Sequence, residues 1–320
     1  MFNFSRHPLL QTIVDSDHPA PRRESGQRRR LLETLEPRLL FTAVFDSGSA
    51  GHITLQTDND PNDAIAQIAV ADLNGDGYDD LVAARAGETT WPDKGEAVSV
   101  FLATPTGDGI DNSNHTEYLI GDGESNPTSG RLEIVGIELA DVDNDGDIDI
   151  ITGNGLEHPL PGSNLDQGSI SILFNDGSGR FFVDPNAANP VVNKIDIIAG
   201  QDNHDIVAVD LDGSGFVEIL AVGRESSDIY VIKRDAASTS TNHIYNTQQV
   251  IDLGANGTAG ANPRGLAVAH LDGDAYLDLA VTIGGLNTGV VSTVEIYRGQ
   301  EVGAVFSFAP LDTVSELPPR

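Results

Sequence analysis

Asp141-Val142-Asp143-Asn144-Asp145-Gly146-Asp147-Ile148-Asp149 places a carboxylate at every odd position of nine residues and a glycine at the sixth. Upstream, Asp72-Leu73-Asn74-Gly75-Asp76-Gly77-Tyr78-Asp79-Asp80 repeats the pattern. Downstream stands a degraded copy, Asp210-Leu211-Asp212-Gly213-Ser214-Gly215-Phe216-Val217-Glu218. The weakest copy is His270-Leu271-Asp272-Gly273-Asp274-Ala275-Tyr276-Leu277-Asp278. First positions fall at 72, 141, 210 and 270, a nearly even recurrence. That interval is too long for a solenoid turn and fits one four-stranded sheet with its connections.

Oxygen side chains at alternate positions converge when a chain curls, and a hard cation such as Ca2+ takes six to eight oxygens in a tolerant geometry. Gly77, Gly146 and Gly215 can adopt the positive φ such a curl needs. Without a cation, clustered carboxylates repel one another and raise their own pKa values. The expected ligands are Asp72, Asn74, Asp76 and Asp80 in the first loop and Asp141, Asp143, Asp145 and Asp149 in the second. Tyr78 and Asp147 stand at the seventh position, where the backbone carbonyl serves and the side chain is free to vary. In the third loop Asp210, Asp212, Ser214 and Glu218 form a poorer set, because Ser214 replaces a carboxylate and Glu218 must reach further. The fourth keeps Asp272, Asp274 and Asp278, but His270 is a poor calcium ligand and Ala275 lacks the glycine.

The helix-loop-helix calcium hand is excluded. It needs a glutamate at position 12, where Ala83 and Thr152 stand. The flanking segments IAQIAVA and DLVAA are short, rich in small and β-branched residues, and read as strands. In the second unit LEIVGIELA (132–140) enters the loop, IDIIT (148–152) leaves it, ISILF (170–174) follows, and RFFV (180–183) comes after the turn NDGSG. GLAVA, LDLAVT, TVEIY and AVFSF repeat that order in the fourth unit. AIAQIAV, DLVAA and AVSVFLA stand in the first, and DIVAV, VEILAV and DIYVIK in the third. The fold class is therefore all-β, with calcium-binding hairpin loops.

These loops, together with ANPRGLAVAHLDGD (261–274) and ISILFNDGSGRF (170–181), resemble the FG-GAP/VCBS repeat of β-propellers such as the integrin α-subunit head. The resemblance covers about residues 60–310. It implies blades around a central axis, each loop binding one Ca2+ through positions 1, 3, 5, 7 and 9. That family closes with about seven blades, whereas residues 44–320 hold about four units. A small propeller, an open or partial array and a fragment of a longer one all fit. An open array leaves unpaired sheet edges and with them a route to self-association.

Residues 1–43 carry seven basic and five acidic residues, net +2, against −31 for the whole chain and so −33 for the remainder. Such an asymmetry marks a leader or targeting segment ahead of the repeat region 44–320. Leu35-Glu36-Pro37-Arg38-Leu39-Leu40 resembles the LEPR-XLL motif of large bacterial surface proteins, notably of planctomycetes, and the resemblance implies export. A basic tail or an amphipathic helix over 28–41 is the plainer alternative. The apolar run LLFTAVF only just reaches the seven residues of a signal-peptide core, and no run approaches a membrane span.

With no cysteine there are no disulfides or thiolate metal sites, which leaves calcium as the available staple. The strongly acidic repeat region excludes nucleic acid and anionic membrane surfaces as partners. No HExxH, GxSxG or P-loop occurs, the eight histidines are scattered, and Trp91 reads as a packing residue before a sugar platform. The expected function is a calcium-binding, non-enzymatic propeller outside the cell or on its surface, serving interaction or adhesion toward a protein or glycan ligand. The alternative is a polysaccharide lyase or hydrolase on a calcium-stabilised propeller.

Overall fold

The structure, a computed structural model, describes residues 64–86, 97–103, 110, 115–120, 132–156, 168–183, 191–200, 202–253, 261–285, 292–302 and 305–310. All of these lie in the compact unit formed by residues 53–320. The leader 1–43 with its LEPR-XLL-like motif, and Trp91, lie outside the described residues.

Among the described residues sixteen strands make four antiparallel sheets of four, each in chain order. The first sheet holds β1 (Ala64–Ala71), β2 (Asp80–Ala86), β3 (Ala97–Phe101) and β4 (His115–Leu119). The second holds β5 (Leu132–Ala140), β6 (Asp149–Leu156), β7 (Ser169–Leu173) and β8 (Lys194–Ile198). The third holds β9 (Asn203–Val209), β10 (Glu218–Gly223), β11 (Asp228–Arg234) and β12 (Tyr245–Asp252). The fourth holds β13 (Ala261–Ala269), β14 (Asp278–Gly285), β15 (Thr293–Val302) and β16 (Val305–Pro310). These are four blades of the kind that build a β-propeller. Strand contacts between blades run from β1 to β5, from β5 to β9 and from β9 to β13, and no comparable contact joins β13 to β1 among the described residues.

Register repeats with the sequence. Ala71 pairs with Asp80, Ala140 with Asp149, Val209 with Glu218 and Ala269 with Asp278, so every acidic loop is the same connection between the first two strands of its sheet. Each first strand also carries a bulge near its start, leaving out Ala66, Val135, His204 and Arg264 from the pairing. Three apolar cores fill the spaces between successive sheets. Leu73, Val82, Val98 and Tyr118 meet Ile134, Ile150, Leu173 and Phe181 between the first two. Ile151, Ile170 and Ile172 meet Ile206, Ile219 and Ile232 between the second and third. Leu220, Val222 and Val231 meet Leu279, Val281, Tyr297 and Phe308 between the last two. Alternate residues of each strand point to opposite faces, so one isoleucine-rich strand such as β6 serves two cores.

One strand assignment is corrected. The segment 180–183 makes only an isolated bridge, Phe182 to Val192, and the fourth strand of the second sheet is Lys194–Ile198. Phe181 is fully buried against the Tyr118 ring instead, edge to face at 5.2 Å. Burial of an aromatic plug between blades outweighs extension of the strand there.

Candidate metal loops

Each loop is wound by its own carboxylates. The first-position aspartate accepts two backbone N–H groups: Asp72 from Asp76 and Gly77, at 3.1 and 2.8 Å. Asp141 accepts from Asp145 and Gly146, at 3.1 and 3.0 Å, and Asp210 from Ser214 and Gly215, at 3.0 and 2.9 Å. Positive φ occurs at both the fourth and sixth positions: Gly75 and Gly77, Asn144 and Gly146, Gly213 and Gly215. The requirement at position 4 is met by glycine or, in the second loop, by asparagine, which tolerates the left-handed region. The fourth loop keeps only Gly273 in that conformation, and its His270 Nδ1 lies 2.8 Å from the Tyr276 carbonyl.

The ninth-position carboxylate turns inward and fastens three strands. Asp80 accepts from Leu73 N at 3.0 Å and Ala103 N at 2.7 Å, while Asp149 accepts from Val142 N at 3.0 Å and Asn175 N at 2.9 Å. Asp278 does the same with Leu271 N and Gly299 N, at 2.7 and 3.0 Å. All three are essentially inaccessible to solvent. This inward clip is invisible to spacing alone, which marks position 9 only as an oxygen donor.

The loops share one rim, linked from blade to blade. Asn175 Nδ2 donates to Leu73 O at 2.8 Å and to Ile148 O at 2.9 Å, tying the first loop to the second. Its Oδ1 accepts the amides of Gly177 and Gly179, both at 3.1 Å. Tyr245 Oη donates to Val142 O at 3.2 Å, and His243 stacks on Phe174 with Nδ1 3.7 Å from Asp143 Oδ2, so the third blade buttresses the second loop. Between the third and fourth loops lies a cavity of about 420 Å³ lined by Asp210, Asp212, His270, Tyr276, Glu301 and Phe306. The sequence marks NDGSG only as a turn and the histidines as scattered. The cross-blade roles of Asn175 and His243 depend on tertiary packing.

Donor atoms of Asp141, Asp143 and Asp149 come within 4.8 Å of one another, as do those of Asp210, Asp212 and Glu218, and of Asp272, Asp274 and Asp278. Asp145 and the side chain of Asp147 stand outside the second trio, and no carboxylate trio forms in the first loop, where Asn74 holds position 3. In the second loop the charge is uncompensated. Burial, then the neighbouring Asp145 and Asp141, push Asp143 up to about 6, and burial pushes Asp149 up to about 8 against two backbone hydrogen bonds. Asp143 Oδ1 is buried with no hydrogen-bond partner. A partnerless buried oxygen beside two more carboxylates fits a divalent cation. Burial likewise raises Asp80 in the first loop.

The third and fourth loops differ. Lys233 Nζ lies against the Asp212 carboxylate and 3.2 Å from Glu218 Oε1, and Arg298 Nε lies 2.7 Å from Asp272 Oδ2. Burial raises Asp212, but hydrogen bonds and charge from Lys233 and Ser214 bring it below the usual carboxylate range. The Asp274 amide, then Arg298, lower Asp272 against some burial.

Residues 64–102 match the FG-GAP repeat. The matched stretch holds β1, β2, β3 and the first loop, and FG-GAP repeats form propellers. No curated protein matches the chain. Among the described residues no helix is long and apolar enough to cross a membrane.

Proposed function

We propose that the chain is a calcium-stabilised, non-catalytic interaction module that works outside the cell or at its surface, meeting a protein or glycan partner through its loop-bearing rim. The observation that carries this is the shared rim, where Asn175 ties the first loop to the second and His243 and Tyr245 brace the second loop from the third blade. Calcium held by Asp72, Asn74, Asp76 and Asp80, and by Asp141, Asp143, Asp145 and Asp149, would fix the shape of that rim. Ile68, 63 % exposed, and Val70, 61 % exposed, on the first sheet and Val294, 62 % exposed, on the fourth are bare apolar positions through which copies could also associate. Beads displaying the chain are expected to bind bacterial cells or purified surface polysaccharide in calcium, to lose binding in EDTA, and to lose it when Asp143 and Asp145 become alanine. Equal binding in calcium and EDTA would defeat the proposal.

A second reading, glycan chemistry, draws on a cluster at the start of β9, the strand end opposite its acidic loop. The bulge residue His204 has Nε2 3.4 Å from Asp202 Oδ1, and Arg224 pairs with the same carboxylate. Asp202 is one of three non-glycine residues at positive φ among the described residues, with φ 60°. Bulges and strained backbone gather at functional sites. Release of product from acidic polysaccharides, abolished by His204→Ala, would replace the first reading with this one.

A further inference from the structure

The antiparallel register defines one position on the third strand of every sheet that faces the ninth residue of the loop. Leu81 pairs with Phe101, Ile150 with Leu173, Ile219 with Ile232 and Leu279 with Tyr297. One step toward the loop, the facing residues are Leu102, Phe174, Lys233 and Arg298. Two are apolar and packed into the cores: Leu102 between the first two sheets and Phe174, 3 % exposed, between the second and third. Two are cationic, and both reach the third-position carboxylate of their own loop, Asp212 and Asp272. The same third-position carboxylate in the second loop, Asp143, keeps a buried oxygen without a partner.

The third loop has serine at position 5 and the fourth has histidine at position 1, so each lacks one carboxylate of the full set. The first loop, with Asn74 at position 3, also lacks one carboxylate of the full set, but it faces the apolar Leu102. The third and fourth loops, and neither of the others, have a cation at the facing position. Three carboxylates and one cation leave two negative charges, against three at positions 1, 3, 5 and 9 of the first loop and four in the second. Calcium affinity follows the charge count and rigidity of the ligands.

We propose that Lys233 and Arg298 take the place of the divalent ion at the third and fourth loops, so that the chain binds two calcium ions rather than four. The inference rests on the calcium reading of the first two loops. A tethered ammonium neutralises the turn without depending on ambient calcium, so the last two blades keep their loop geometry when calcium is scarce while the first two respond to it.

Calcium bound per full-length chain is counted by equilibrium dialysis at 1 mM free Ca2+ and elemental analysis. The unaltered chain is expected to hold two ions and Lys233→Met three, since methionine keeps much of the stem packing and removes the charge. Lys233→Gln, gentler on the fold, is expected to gain the same third ion, and circular dichroism verifies that each variant is folded. Three or four ions on the unaltered chain would overturn the proposal and leave the calcium reading standing. A count fixed at two in both folded variants would also overturn it, because the lysine would then not be what excludes the ion. No ion on any form would take down both readings.

Discussion

Asp143 and Asp149 carry the pH behaviour of the second loop. Their pKa values in the metal-free fold, about 6 and about 8, lie above that of an unfolded aspartate. A raised carboxylate favours the fold while it is protonated, and that contribution is lost as pH rises through the folded value. Metal-free protein should therefore melt at progressively lower temperature as pH is raised from 5 to 8. Saturating calcium, which needs the ionised forms, should abolish this decline, and Asp143→Asn should remove the part that is complete by about pH 6. Differential scanning calorimetry at several pH values, with and without calcium, measures it. A metal-free melting temperature that climbs across that window would contradict the uncompensated charge assigned to the loop.

Among the connecting elements, the turn 175–179 couples the first two blades through one side chain. Asn175 makes four hydrogen bonds, donating to Leu73 and Ile148 carbonyls and accepting from Gly177 and Gly179. Removing them at a site 6 % exposed leaves buried backbone groups unpaired, so Asn175→Ala should cost about 3 kcal/mol in urea unfolding. A loss below about 0.5 kcal/mol would mean that the turn is not a joint. The acidic loops and the first three strands of each blade are legible in the sequence because carboxylate spacing and β-branched runs are local patterns. Of the outer strands only AVFSF of the fourth blade is legible: HTEYL has little apolar content, and KIDII is a five-residue run whose Ile195 and Ile197 pack toward one core. RFFV looks more like a strand than either, yet Phe181 is drawn into the core with Tyr118. The pairing of Lys233 with Asp212 depends on register, which the spacing of acidic residues does not reveal.

Across the whole molecule, stability divides between three apolar cores and, on the proposed reading, acidic loops whose charge an ion would neutralise. The chain has no disulfide to hold the blades when the loops repel. Each ion that binds only the folded state adds about 2.7 kcal/mol at one hundred times its dissociation constant. Two such ions correspond to a rise in melting temperature of about 10 °C for a domain of this size. The most direct measurement is thermal melting of the chain in EDTA and across a calcium titration at pH 7.5, with magnesium as control. A saturable rise of about that size in calcium, with little in magnesium, is the expected result. A cooperative transition at the same temperature in EDTA, magnesium and calcium would contradict calcium as the structural ion of the rim.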